Sequence, residues 1–179
     1  CATFLYNVKR GMDEIRSGAK RIVVIGNAEA PVTPYVIEGY RVMGALAEDD
    51  ALMALDNSQT VDHRRACRPF SSNVGFTVAE SSTWLVLMDD ELATQQGARV
   101  LGAVGDVYIN ADGYKKSISG PGIGNYITVA KAMASARAIL GDSALRAGSY
   151  MQAHGTGTPQ NRVTESHIFN ELAKTFGLD

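Results

Sequence analysis

The sequence predicts a layered α/β chain, and three observations carry that prediction. Two short runs, residues 22–25 and 84–88, are apolar without alternation, the pattern of strands buried on both faces. Segments whose apolar residues recur at helical spacing separate such runs along the chain. The composition supplies a core: of 179 residues, 45% are hydrophobic and 20% charged, with a mean hydropathy of −0.06. That much apolar surface offsets the entropy of ordering a chain of one-domain size.

In chain order, Phe4, Leu5, Val8, Met12 and Ile15 form one face of a helix, with Lys9, Arg10, Asp13, Glu14 and Arg16 on the other. Gly18 stops it, because glycine takes the left-handed conformation without a steric penalty. The strand 22–25 ends at Gly26, and Pro31 and Pro34 break the chain. A second helical pattern runs through Val36, Ile37, Tyr40, Met43 and Leu46. Residues 56–73 are polar and aperiodic, a long loop of the kind that is often functional. The strand 84–88 leads into Asp89-Asp90-Glu91, acids suited to a helix's first turn. Residues 100–109, with Gly102 and Gly105, predict a long bent strand. A Gly/Ser/Lys-rich loop covers 112–124. An Ala-rich helix over 127–140, with Ala130, Ala132, Ala134, Ala136 and Ala138, is expected to pack closely on a neighbour. Residues 149–153 predict a short strand, and Asn161 a cap for a last helix bearing Val163, Ile168, Phe169, Leu172 and Phe176.

Several classes are excluded. Seventeen basic and nineteen acidic residues give a net charge of −2 and a pI near 5.9, which offers nucleic acid no electrostatic footprint. The apolar runs are too short to span a bilayer. Two cysteines make no disulfide framework and no signal-peptide pattern opens the chain, so a cytoplasmic setting is expected. His63, His154 and His167 lack paired-ligand spacing, so no metal is expected. There is no G-x-S-x-G elbow. Gly120-Pro121-Gly122-Ile123-Gly124 lacks the Lys-Ser/Thr pair of a phosphate loop and reads as a connection.

The most informative stretch is Ala153-His154-Gly155-Thr156-Gly157-Thr158-Pro159. It places an imidazole at a sharp turn, with glycines that admit a ligand to the backbone and hydroxyls that hydrogen-bond at short range. Small and polar residues at the end of a strand are where α/β sites sit. Cys1 directly precedes the first helix, whose unpaired N–H groups and dipole favour a thiolate. From position alone it reads as an ordinary terminal cysteine. Cys67, in His63-Arg64-Arg65-Ala66-Cys67-Arg68, reads as a small buried hydrophobe at a loop anchor. Its basic run reads as a solvated surface. Glu29, Glu80 and Glu165 are not assigned as an acid/base pair.

Cys1-Ala2-Thr3, the strand ending in Gly26-Asn27-Ala28-Glu29-Ala30, the loop Ala66-Cys67-Arg68-Pro69-Phe70 and the HGTGTP segment occur here in the order seen in β-ketoacyl-acyl-carrier-protein synthases. The sequence resembles that family over essentially its whole length. The resemblance implies a layered thiolase-like fold (α-β-α-β-α) of which only the central part of two halves is present. Residues of about 1–110 would end the N-terminal half and about 111–179 would begin the C-terminal half. The resemblance implies roughly twice this many residues for a complete two-half fold. The resemblance also implies that the family's second histidine and G-F-G-G loop lie beyond Asp179.

The same resemblance implies an acyltransferase that performs a decarboxylative Claisen condensation in fatty acid or polyketide synthesis. Cys1 becomes the nucleophile that holds the acyl chain. His154 becomes the donor to the malonyl thioester oxygen as the enolate forms. Thr156 and Thr158 match threonines that hold the pantetheine arm, and Glu165 matches an acid that supports the site. Tyr40 and Met43 are candidates for the acyl pocket. The implied partners are acyl carrier protein, acyl-CoA or acyl-carrier protein, malonyl-carrier protein and a second copy in a homodimer. The resemblance implies no resident cofactor, since the phosphopantetheine arm would arrive on the carrier.

The sequence also departs from the family. The usual P-F-D…R-D-G-F stretch is Pro69-Phe70-Ser71-Ser72-Asn73-Val74-Gly75-Phe76, shortened and without its charges. The G-E-G-x-G that follows is Ala79-Glu80-Ser81-Ser82-Thr83, and the acid after the HGTGTP turn is Arg162. These departures motivate one rival reading, a non-catalytic partner subunit; a second rival, a thiolase-type acyltransferase, shares the implied fold.

Overall fold

The computed structural model describes residues 2–112 and 122–178. Cys1, Asp179 and residues 113–121 of the Gly/Ser/Lys-rich loop, Gly120 and Pro121 among them, lie outside the described residues. The order is α1 (Thr3–Arg16), β1 (Ile22–Glu29), α2 (Pro34–Val42), α3 (Asp49–Asp56), a 3-10 turn (His63–Arg65), β2 (Ser81–Met88), α4 (Asp90–Gln95), α5 (Ile123–Leu140), α6 (Asp142–Arg146) and α7 (Pro159–Phe176). The chain divides into two compact units. The first takes the segment ending at Glu29, Ser81–Ala111 and Ile127–Ser149; the second takes Ala30–Glu80, Asp112–Tyr126 and the chain from Tyr150.

In the first unit β1 and β2 pair antiparallel, with Val24 opposite Val86 and Gly26 opposite Trp84. α1 buries Val8, Gly11 and Met12. It lies close to the sheet because Gly11 carries no side chain: a Cβ there would sit 3.1 Å from Ile25 Cδ1 and 3.2 Å from Val23 Cγ1. Gly18 closes the helix at φ +74°, as expected. Asp89 caps α4 by accepting the Leu92 N–H at 2.7 Å, and the Arg21 guanidinium grips the same carboxylate at 2.8 and 3.0 Å.

The expectation that both sheet faces are buried is corrected. Ile22, Val24, Trp84 and Val86 are exposed, because α1 covers only the face carrying Val23 and Ile25. No strand forms over 100–109 or 149–153. Leu101 is 87% exposed and finds no pairing partner among the described residues, and a β-branched run without a partner ladder is not a strand. α5 starts at Ile123, earlier than expected, with the Gly124 N–H donating to Asp112 Oδ1 at 2.7 Å. Its alanines do not form a packing stripe: Ala132, Ala134 and Ala138 are exposed while Met133 is buried. Alternate residues on a helix point to opposite sides, so an i, i+2 series cannot share one face.

The second unit packs around Leu52, Ala66, Ile168, Leu172 and Phe176. α2 ends at Val42, where Gly44 (φ +63°) turns the chain, and the Tyr40 ring meets Phe76 edge-on at 5.0 Å. α3, which the sequence pattern did not predict, ends in left-handed Asn57. In the long loop that follows, Asp56 pairs with a part-buried Arg68, and Arg65 lies 3.6 Å from the same carboxylate. Arg68 donates to Asp56 Oδ1 at 2.7 Å and Oδ2 at 2.5 Å, with the two side chains 10% and 15% exposed. α7 is capped by Thr158 rather than Asn161: Thr158 Oγ1 accepts the Asn161 N–H at 3.3 Å. Pro159 decides this, since it holds the preceding residue extended and itself fits the first helical position.

Candidate functional site

The HGTGTP segment forms a turn that delivers the chain into α7, and its two glycines take positive φ, +56° at Gly155 and +81° at Gly157. Both are in close contact. A Cβ on Gly155 would lie 3.1 Å from Pro69 Cβ, and one on Gly157 would lie 2.8 Å from the Gly75 carbonyl oxygen. Glycine is therefore required twice over at Gly157, by conformation and by space.

Glu165, in the second turn of α7, reaches back to the HGTGTP backbone. Its Oε1 accepts the His154 N–H at 2.6 Å, and Oε2 accepts the Gly155 N–H at 2.8 Å and Asn161 Nδ2 at 2.8 Å. A carboxylate bonded to two successive amides fixes the peptide from which the imidazole projects. The His154 side chain is exposed, and its ring makes no hydrogen bond among the described residues. The half-buried hydroxyls of Thr156 and Thr158 lie 2.9 Å apart.

The loop 66–76 forms the other wall. Arg68 Nε donates to the Arg65 carbonyl, and the Phe70 and Phe169 rings meet at 6.3 Å. The Arg68 guanidinium bonded to Asp56 holds that carboxyl below the ordinary aspartate value of 3.8. Cys67 is exposed rather than buried, so its reading as a buried anchor is corrected: Ala66, its neighbour, takes the interior position.

His154, Thr156, Thr158 and Glu165 are thus brought together on one turn and one helix, whereas Cys1 lies outside the described residues. His63 is exposed and 3.0 Å from Asp49, and Glu80 accepts the Val32 N–H at 3.3 Å. Met43 is 67% exposed and Tyr40 half-buried. Among the described residues no three His, Cys, Asp or Glu gather as a metal site, and no helix is long and apolar enough to cross a membrane. Sequence reasoning missed the roles of Asn73 and Asp56, and it read Asn161 as a helix cap rather than as a donor to Glu165. The one available signal was Glu165 lying four residues after Asn161 on a helix.

No family model matches the chain. It is 58% identical over its full length to the beta-ketoacyl-acyl-carrier-protein synthase FabY of Pseudomonas aeruginosa, of which it spans 28%. The crystal structure of that ketosynthase superposes with a TM-score of 0.96, covering 100% of this chain and 28% of that one. A type II polyketide ketosynthase in complex with its acyl-carrier protein superposes at 0.72, with 26% identity, covering 97% of this chain and 40% of that one. The chain therefore spans little more than a quarter of the first relative and well under half of the other. The layered fold resembled in the sequence is the fold of these structures, present here in part.

Proposed function

We propose that this chain, a segment that belongs to the β-ketoacyl-acyl-carrier-protein synthases, supplies the nucleophile and one histidine of a decarboxylative Claisen condensation. The Cys1 thiolate attacks an acyl thioester, expels the carrier thiol and keeps the acyl group as a thioester on sulfur. A malonyl thioester then loses carbon dioxide, and the electron pair of the broken bond forms an enolate. His154 donates a hydrogen bond to the thioester oxygen where that charge collects. The enolate carbon attacks the acyl carbonyl, a new carbon–carbon bond forms, and Cys1 leaves as thiolate.

The observation that carries this reading is the hold of Glu165 on the His154 and Gly155 amides, in a segment 58% identical to a named ketosynthase. An exposed imidazole on a peptide pinned at two points is suited to donate to charge that develops outside the backbone. Thr156 and Thr158 are assigned to the pantetheine arm. The carrier protein is the expected partner, which the complex of a similar ketosynthase with its acyl-carrier protein supports. A homodimer in the cytoplasm without a resident cofactor completes the reading.

Full-length protein tests it. Cys1→Ala should abolish uptake of a radiolabelled acyl group, and His154→Ala should slow malonyl decarboxylation by roughly 10² to 10³, as for loss of one transition-state donor. Label uptake by Cys1→Ala, or an unchanged decarboxylation rate in His154→Ala, would remove the respective assignment.

A further inference from the structure

The loop 68–76 is the seat on which the His154 turn rests, since Pro69 lies against Gly155 and the Gly75 carbonyl against Gly157. Between those two contacts the loop is held by two side chains. Asn73 is 7% exposed, and its Nδ2 donates to the carbonyls of Arg68 at 2.9 Å and Pro69 at 3.2 Å. Two carbonyl acceptors fix which end of the amide is nitrogen, because only Nδ2 can donate to them. Asn73 Oδ1 is buried with no partner among the described residues. An orphaned acceptor is costly, and the two bonds on the Nδ2 side offset that cost.

The second holder is Arg162 in the first turn of α7, which donates from Nη1 to the Ser71 carbonyl at 2.8 Å. α7 is also the helix whose Glu165 pins the His154 and Gly155 amides. One helix therefore grips both the turn and its seat. Arg162 and the shortened loop are two departures from the family pattern, and they bond directly to each other.

We propose that Asn73 and Arg162 are positioning residues that set the orientation of the His154 turn through Pro69 and Gly75. The proposal rests on the role proposed for His154. The hydrogen bonds of both side chains go to loop carbonyls, so each fixes a stretch of backbone that does the bracing.

In full-length protein, Asn73→Asp keeps the shape but turns a carboxylate oxygen toward two carbonyls. Arg162→Met removes the donor, and Arg162→Lys retains the charge. Release of carbon dioxide from a malonyl-carrier protein is measured separately from acyl transfer to Cys1, followed by intact mass. Asn73→Asp and Arg162→Met should lower kcat for decarboxylation by roughly tenfold to a hundredfold, the effect of a displaced reacting group. KM and Cys1 acylation should stay within about twofold, the pattern of a transition-state loss rather than weaker binding. Arg162→Lys should recover most of the activity. An unchanged kcat, or acylation falling in step with decarboxylation, overturns the proposal. Hydrogen exchange of the peptide carrying the His154 and Gly155 amides gives a readout independent of chemistry. If the wild-type protein releases no carbon dioxide, the role of His154 fails while exchange still decides the clamp: faster exchange in Asn73→Asp supports it, and unchanged protection overturns it.

Discussion

The Glu165 carboxylate and the His154 backbone are joined by a 2.6 Å hydrogen bond, with the second carboxylate oxygen on the next amide at 2.8 Å. The residue that supports the turn acts on its peptide rather than on its imidazole. That relationship makes Glu165 an anchor, whatever further partner it has in the complete protein.

Glu165→Gln tests the anchor. An amide presents only one oxygen, so its –NH2 would face either the His154 N–H or both the Gly155 N–H and Asn161 Nδ2. Hydrogen bonds to a charged group contribute about 1.5–3 kcal/mol, so protection of the His154 and Gly155 amides should fall by about that amount. Hydrogen exchange measured on full-length protein reads it directly. Unchanged protection would show that the carboxylate is dispensable to the turn.

Gly157→Ala should cost more than Gly18→Ala. Both glycines have positive φ, +81° and +74°, and alanine there loses about 1–2 kcal/mol from backbone strain. Nothing lies within 4 Å of a Cβ at Gly18, whereas at Gly157 the Gly75 carbonyl oxygen lies at 2.8 Å. The difference between the two variants in chemical denaturation isolates the clash. Equal losses would mean that the loop yields freely.

Much of this was legible in the residues, and the boundary of legibility is physical. α1, β1 and the start of α4 follow from local signals: one apolar helix face, a β-branched run, acids after a strand. The segment 100–109 carries the same β-branched signal, yet strand formation also needs a partner that a local pattern does not specify. The chemistry of the turn was visible in its glycines and threonines. Its supports were not: Arg162 and Asp56 bond partners 91 and 12 residues away, and Asn73 bonds carbonyls within a loop that has no period. The cap at Thr158 was overlooked in favour of Asn161, although Pro159 already marked it.

The Asp56–Arg68 pair should make the loop sensitive to acid. Bonding to the Arg68 guanidinium lowers the Asp56 pKa from 3.8, so the folded state binds that proton less readily than the unfolded chain. Its contribution is therefore present at all pH values above the ordinary aspartate range and is lost as pH falls through the lowered folded value. Asp56→Asn should destabilise the protein at neutral pH and remove this part of the acid limb. Thermal melting of both proteins from pH 7 downward should show curves that converge in acid. A constant separation would exclude the linkage.

Thr156 and Thr158 can be separated by what each hydroxyl already does. Thr158 Oγ1 caps α7 by accepting the Asn161 N–H at 3.3 Å, and Thr156 Oγ1 accepts the Thr158 N–H at 3.3 Å. Thr158→Ala should therefore cost about 1 kcal/mol of stability, the usual loss of an N-cap, while Thr158→Ser should cost little. Thr156→Val leaves the cap in place and removes only the inner hydroxyl. If the hydroxyls also hold the pantetheine arm, Thr156→Val should raise KM for the carrier-bound substrate with the melting temperature nearly unchanged, and Thr158→Ala should change both. Steady-state kinetics paired with melting curves would show it, and a Thr156→Val enzyme with wild-type KM would confine both threonines to building the turn.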